Sequence, residues 1–429
     1  MKKRTSGTIA VLGLVALGAA ACGSSGSSGS SGGSGAAGSG SSGTSGNTAS
    51  APGVTPNGIT VGIITSTVGV AGPNFVHYAD GARARFDVAN ASGGINGRKL
   101  TLTAVDDGGS LTQNQTAAQD LVSKNVFGVI AGTPFFFASA KYLNQQGVPV
   151  TGGGFDGPEW GQQPNTNMFS FTGNTGPNFL VNSQNTGGVT FIKMQGGTNI
   201  AAMGYGISPS SSASAQAVGI VAPKVGLKAG YINTSIPFGS VNVGPIVLAM
   251  KAAHVDSAAL QMDNNTNFAI ITAAKQAGLN LKVAVSATGY GQTLLDDKAA
   301  LAAAEGSYFI SEGPPLSSTP EKNFRAALKK YANFSGVPGF DWYYGWMSAD
   351  LMVRGLQAAG KNPTRQSFVN GLHGVTGYDG DGLLPQAVDL SLAGFGKPAA
   401  TSCGWYAQVK NGQFVPVPSD GRPVCGKHI

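Results

Sequence analysis

The sequence predicts an α/β protein built from two Rossmann-like lobes with parallel sheets. Three observations carry this. Short β-branched runs alternate with segments whose small and apolar residues recur at helical spacing. The alternation runs once over residues 59–151 and again over residues 200–286. Beyond Pro52 roughly 375 residues remain, more than a single core normally serves.

The first run, residues 59–65 (ITVGIIT), reads as a buried strand. Residues 75–91 carry Ala79, Ala82, Phe86 and Ala89 at helical spacing, and Ser92-Gly93-Gly94 stops that helix. Residues 100–105 form a second strand that ends at Asp106-Asp107. A helix over 113–122, a strand over 126–131, a helix over 138–146 and a strand over 148–151 complete the first series. The second series places strands at 200–205, 228–233, 257–261 and 281–286, with helices at 213–223, 243–253 and 268–277 between them. Strands separated by helices give a parallel sheet covered on both faces. Ligands of such sheets sit beyond the carboxyl ends of the strands.

The N-terminus reads as an export signal. Lys2, Lys3 and Arg4 precede an apolar run over residues 9–21, too short for a span of ~20 residues. It ends in Ala19-Ala20-Ala21-Cys22-Gly23, which resembles a bacterial lipobox with Cys22 as the lipidated residue, although Ala19 stands where Leu is commoner. Residues 23–50 are nearly all Gly and Ser, a composition that cannot offset its ordering entropy and reads as a tether.

Lys and Arg number 27 against 20 Asp and Glu, a formal +7, and removing the three basic signal residues leaves +4 (24 − 20). The basic balance is mild and no Lys/Arg cluster follows a phosphate track, so nucleic acid is not an expected partner. With Cys22 lipidated, Cys403 and Cys425 remain as a disulfide pair suited to an oxidising compartment. The four histidines (His77, His254, His373, His428) are scattered, so no metal site, catalytic site or cofactor is expected. The G-x-S-x-G at residues 29–33 follows from composition alone. The G-x-G-x-x-G formed by Gly152, Gly154 and Gly157 runs into Pro158 rather than a helix, so it does not read as a dinucleotide site.

The segment from Gly81-Ala82 through Asn90-Ala91-Ser92-Gly93-Gly94-Ile95-Asn96-Gly97-Arg98-Lys99-Leu100 to Asp106-Asp107 resembles the first helix, turn and second strand of the branched-chain amino-acid binding proteins. Residues 126–132 with Gln146-Gly147-Val148-Pro149-Val150, residues 256–261 with 273–279, and residues 342–355 extend the resemblance, which covers nearly everything from 58 to 412. These are type I periplasmic binding proteins that feed ABC importers. The resemblance implies two lobes joined by three crossovers, near residues 169–171, 285–287 and 382–386. It thereby divides the chain into a lipoprotein signal peptide (1–21), a Gly/Ser-rich tether (22–57), lobe 1 (58–170 and 287–385) and lobe 2 (171–286 and 386–429). It also implies a small-molecule ligand held between the lobes, ABC permease subunits as partners, and a membrane reached through the lipid anchor.

In that family, hydroxyls and backbone N–H groups of the first lobe hold a ligand carboxylate, while an acid and a Tyr of the second hold its ammonium. The first-lobe wall then comprises Phe75, Thr133, Phe135, Phe136, Gly153, Gly154, Phe155 and Asp156, with Phe75, Phe135 and Phe136 read equally as core residues. The second-lobe wall comprises Ser210, Ser211, Ser240 and Tyr290, with Ser210 near the family's Tyr and Ser240 near its acid. Both parts of the ammonium clamp are thus serines, and no Asp or Glu occurs from Trp160 to Val255. A wall without acids does not readily bury a cation. The expected ligand is neutral or anionic with an apolar part, unless Asp156 or Asp263 supplies the missing charge. A sensor of the same fold acting through a separate partner is the alternative, and a hydrolase a remoter one.

Overall fold

The computed structural model describes residues 46–154, 157–173, 176, 180, 184–399 and 401–429. The signal peptide, Cys22, most of the tether, Phe155 and Asp156 lie outside the described residues. In lobe 1, β1 (Gly58–Thr65), α1 (Tyr78–Ala91), β2 (Lys99–Asp106), α2 (Leu111–Ser123), β3 (Val129–Gly132), α3 (Phe137–Gln145), β4 (Val150–Gly152) and β5 (Met168–Ser170) follow in chain order. The five strands form a wholly parallel sheet in the order β2-β1-β3-β4-β5.

Period-two alternation in β1 decides which helices cover which face. Ile59, Val61 and Ile63 join the core under α1, whereas Ile64 joins the one under α2 and α3. Two glycines set the tightest contact in this lobe. A Cβ on Gly81 would fall 2.3 Å from the Trp342 carbonyl oxygen, and one on Gly345 2.0 Å from that of Tyr78. Only glycine lets α1 and its later partner helix approach this closely.

Lobe 2 opens with α4 (Gly187–Met194), β6 (Asn199–Tyr205), α5 (Pro209–Lys224), β7 (Lys228–Ile236), α6 (Gly244–Ala252), β8 (Ser257–Gln261), α7 (Asn264–Gln276) and β9 (Val283–Ser286). It continues through α8 (Gln292–Asp296), α9 (Lys298–Ala304) and β10 (Tyr308–Ser311). The chain then returns to lobe 1 for α10 (Thr319–Ala332), α11 (Phe340–Ala358) and α12 (Arg365–His373). It ends in lobe 2 with β11 (Thr401–Lys410), β12 (Gln413–Val417) and β13 (Val424–Lys427). The second sheet has the order β12-β11-β10-β9-β8-β6-β7, with β13 paired to β11. Strands β6 to β10 are parallel, but β11 runs antiparallel to β10, so this sheet is mixed at one edge. Cys403 and Cys425 face each other across β11 and β13 and are disulfide-bonded, as expected.

Three expected boundaries shift. Residues 46–57 are docked rather than tethering: Val54 is buried, Ser50 Oγ donates to the Pro363 carbonyl, and Arg98 reaches the carbonyls of Thr48 and Thr55. The return to lobe 1 comes after Ser311, not at 287, because β10 hydrogen-bonds to β9. The last crossover follows Leu390, since Tyr378, Leu383, Val388 and Leu390 pack in the lobe 1 core. Among the described residues no helix is long and apolar enough to cross a membrane.

Candidate functional site

The loops that follow β1 and β3 in lobe 1 and β7, β8 and β9 in lobe 2 meet between the lobes. On the lobe 1 side, Ser66, Thr133 and Asn114 are all fully buried around Asp107. The Thr133 and Ser66 hydroxyls donate to the Asp107 carboxylate, as do Asn114 Nδ2 at 3.0 Å and the Gly109 amide at 2.9 Å. Thr133 Oγ1 also accepts from the Phe135 amide at 3.1 Å. This network fixes the loop after β3 and leaves the Thr133 hydroxyl engaged within the protein, not free as the expected ligand contact.

The aromatic run after Thr133 divides. Phe136 is a core residue packed on Trp160, with ring centroids 5.3 Å apart. Phe135 instead crosses to lobe 2, where its ring meets Phe238 edge-on at 5.6 Å. Phe238 in turn lies 4.9 Å from the Tyr205 ring. Gly154, at φ 67°, lets the chain pass close to Ser170, and the Gly153 carbonyl accepts from Thr172 Oγ1 at 2.6 Å.

On the lobe 2 side, Asp263 caps α7 by accepting from the Thr266 amide at 3.1 Å, and the Tyr205 hydroxyl donates to it. Burial holds its carboxyl above the ordinary range, opposed by the backbone N–H groups of Thr266 and Asn265. Asp263 is therefore occupied. Ser211 ties its own turn, accepting from the Tyr205 amide at 2.8 Å and donating to the Gln261 carbonyl. Ser208 rather than Ser210 caps α5, and Ser210 stands partly exposed 3.2 Å from it. Ser240 is partly exposed in the loop after β7.

The lobes touch on two flanks. On one, a Cβ added to Gly239 would lie 2.1 Å from Val70 Cγ1, beside the Phe135–Phe238 pair. On the other, the Gln292 amide donates to the Val337 carbonyl at 2.8 Å, and the Val337 amide donates to Gln292 Oε1 at 3.1 Å. A cavity of about 330 Å³ opens between loops of both lobes, its wall including His77, Phe340 and Asp341 from lobe 1 and Asn264, Asn265 and Tyr290 from lobe 2. Asp341 accepts from the amides of His77 and Trp342, yet burial pushes its carboxyl up to about 6. His77 stacks on Trp342 at 4.6 Å, and hydrogen bonding to Asp80 raises its pKa.

Phe75 lies under this wall, edge-on to Phe340 at 5.5 Å, and Phe340 stacks on Tyr344 at 4.0 Å. Phe171, on the first crossover, meets Tyr344 at 4.9 Å. Phe340 and Tyr344 retain partial exposure. Opposite them Tyr290 is 7% exposed, and burial drives its hydroxyl pKa well up.

Sequence reasoning overlooked one acid, Glu312, on the second crossover immediately after β10. Burial pushes its carboxyl up to about 8. It nevertheless keeps partial exposure, and its charge is felt by Tyr290 of lobe 2 and by Tyr343 and Tyr344 of lobe 1. The only available signal was its place beyond the carboxyl end of a strand, and that strand was not foreseen. No three His, Cys, Asp or Glu gather to hold a metal among the described residues.

Two α/β sheets in series, three crossovers and a cavity between facing strand ends define a two-lobed solute-binding protein. The sequence matches the periplasmic binding protein family model over residues 58–413, and the chain belongs to that family. Its structural neighbours include type I binding proteins for branched-chain amino acids. One similar structure is a fatty acid ABC transporter substrate-binding protein from Thermomonospora curvata (TM-score 0.68, 20% identity, 86% of this chain and 93% of that one). Another is the branched-chain amino acid transporter substrate-binding protein of Streptococcus pneumoniae in complex with isoleucine (0.64, 16%, 83% and 98%). A third is a solute-binding protein of R. palustris in complex with benzoate (0.65, 14%, 84% and 96%). No curated protein matches in sequence. At these identities the likeness concerns the fold.

Proposed function

We propose that the chain is an extracytoplasmic lipoprotein that captures a small ligand between its lobes and delivers it to an ABC permease. The ligand is neutral or anionic with an apolar part. One observation carries this reading: the lobes close on each other at both flanks around a cavity walled by Phe340 and Tyr290. Ser210, in the first turn of α5, and Ser240, after β7, carry hydroxyls rather than carboxylates, and Asp263 is engaged by Tyr205 and Thr266. An amino-acid ammonium therefore finds no free acid on these loops. The solved relatives named above include one described with benzoate and one described as fatty-acid binding, which agrees with an apolar acid. Closure supports delivery, because a permease must tell loaded receptors from empty ones and hinge closure marks the loaded state. The anchor rests on the lipobox-like run ending in Cys22.

Native mass spectrometry of the protein extracted from its own membranes tests both parts. The expected spectrum shows lipid mass on the peptide beginning at Cys22 and one retained small molecule without an amine. An unlipidated N-terminus overturns the anchor, and a retained amino acid overturns the ligand class.

A further inference from the structure

The antiparallel edge of the second sheet carries a cavity of its own. Phe309 pairs with Ala407, Ser311 with Trp405, Ala407 with Pro416 and Val409 with Phe414. Period-two alternation therefore sets all of these side chains on one face of β10, β11 and β12. Trp405, Ala407, Phe414 and Pro416 of that face floor a cavity of about 200 Å³, with Tyr290 and Leu316 at its sides. The turn between β12 and β13 closes it against the second crossover: a Cβ on Gly421, at φ 73°, would stand 2.5 Å from Pro315 Cγ. Tyr290 is the one residue this wall shares with the cavity between the lobes.

Trp405 is the unexplained member. It is only 9% exposed, yet among the described residues its ring meets no other ring and its indole N–H has no hydrogen-bond partner. A buried Trp N–H ordinarily finds an acceptor. This nitrogen is not sealed off from solvent, so the donor opens on the space that Trp405 lines. Charge at the site has one sign: no Asp or Glu lines the cavity, whereas Arg422 does. Arg422 pairs with Asp420 at 3.2 Å, but both side chains are largely exposed, and such a pair is worth little.

We propose that this cavity is a second ligand site, distinct from the cleft, and that it takes a small apolar carboxylate. One carboxylate oxygen accepts from the Trp405 Nε1–H, Arg422 turns from Asp420 to the same group, and the apolar body lies on Phe414, Pro416 and Leu316. An indole N–H and a guanidinium are donors only, so the head group they select is an acceptor, and the guanidinium favours a charged one. The volume lies below the ~300–1,000 Å³ of sites for drug-sized molecules, which confines the occupant to a single ring or a short branched chain. The site belongs to the second lobe and the crossover alone, so it stands whatever the cleft between the lobes takes.

The test uses the full chain carrying Cys22→Ala and labelled with 5-fluorotryptophan, with benzoate as the probe and benzamide as its uncharged counterpart. The chain has 4 Trp, and Trp405→Phe assigns the fluorine resonance of Trp405 by its loss. Trp342 lines the cavity between the lobes, so its resonance reports the cleft separately. Benzoate is expected to shift the Trp405 resonance and to half-saturate at about 1 mM or below, with benzamide about tenfold weaker. Arg422→Gln, at an exposed position that does not endanger folding, should weaken benzoate about fivefold to tenfold. Ala407→Leu, which fills the floor, should abolish the Trp405 shift and leave any shift at Trp342 as it was. A Trp405 resonance that benzoate does not move overturns the proposal, and a shift at Trp342 alone does so while the reading of the cleft still stands. A Trp405 shift that benzamide reproduces at equal concentration, or that survives Arg422→Gln undiminished, overturns it as well. A saturable Trp405 shift lost in Ala407→Leu and weakened in Arg422→Gln supports it, with or without a response at Trp342.

Discussion

Glu312→Gln in the ligand-free protein provides a perturbation whose size follows from the structure. The Glu312 carboxyl has an ordinary value of 4.5 and is pushed up to about 8 by burial. Its folded-state pKa is raised, so the stability it contributes is fully present below about 4.5 and is lost as pH climbs to about 8. At pH 7 the unfolded chain gains from ionising over about 2.5 units, or about 3.4 kcal/mol. The side chain keeps partial contact with solvent, which roughly halves the effect to about 2 kcal/mol. Glutamine has no proton to lose, so the variant should be more stable by about that amount at pH 7, and by less than about 1 kcal/mol at pH 5. In a chain of this size that corresponds to a midpoint rise of about 2–3 °C at pH 7. Thermal unfolding of wild type and variant from pH 5 to pH 9 reads it directly. Curves that stay parallel over this range would refute the reasoning, because they would place Glu312 in ordinary contact with water.

Other consequences can be checked with similar means. Phe238→Ala removes a ring pair that joins the lobes, worth ~0.5–1.5 kcal/mol, so the closed population should fall about 2- to 13-fold and small-angle scattering should show a larger radius of gyration. Arg98→Met deletes the guanidinium that holds the carbonyls of Thr48 and Thr55; stability should fall by about 3 kcal/mol, and a protease should now cut within residues 46–57. Tyr205→Phe leaves the buried Asp263 carboxylate without its hydroxyl donor and should lower stability by about 1–3 kcal/mol in chemical denaturation. Replacing both Cys403 and Cys425 by Ser opens a loop of 22 residues and should remove about 3 kcal/mol, read as a lower urea midpoint under non-reducing conditions.

What was legible in the sequence follows the strength of the local signal. The run ITVGIIT declared β1 because β-branched residues fill both faces of a buried strand, and residues 257–261 were delimited without error. Strand β10 was missed because Tyr308-Phe309-Ile310-Ser311 is only four residues long and follows two short helices instead of one full one. That omission moved the second crossover to 287 and hid Glu312, whose significance depends on standing just beyond a strand. Residues 46–57 were read as tether because Gly, Ser and Pro composition says nothing of Arg98, a residue half a hundred positions away that holds them down. The site was legible by loop but not by side chain. Phe135 meets Phe238 of the other lobe and Tyr290 lines the cavity between the lobes, whereas Thr133, Phe136 and Ser211 are engaged by neighbours that periodicity cannot foresee.

The central claim is that this cleft takes an oxygen-bearing apolar ligand and not an amino acid. Unfolding midpoints against paired compounds test it most directly: leucine, isoleucine and valine beside their deaminated acids, together with aromatic acids and amides. A ligand at about a hundred times its Kd adds about 2.7 kcal/mol, a clear rise in midpoint. The account predicts that acids or amides raise the midpoint and the amino acids leave it unmoved. A strong rise with leucine or valine and none with their deaminated acids would contradict it, since an ionised carboxylate in the cleft would then be holding the ammonium.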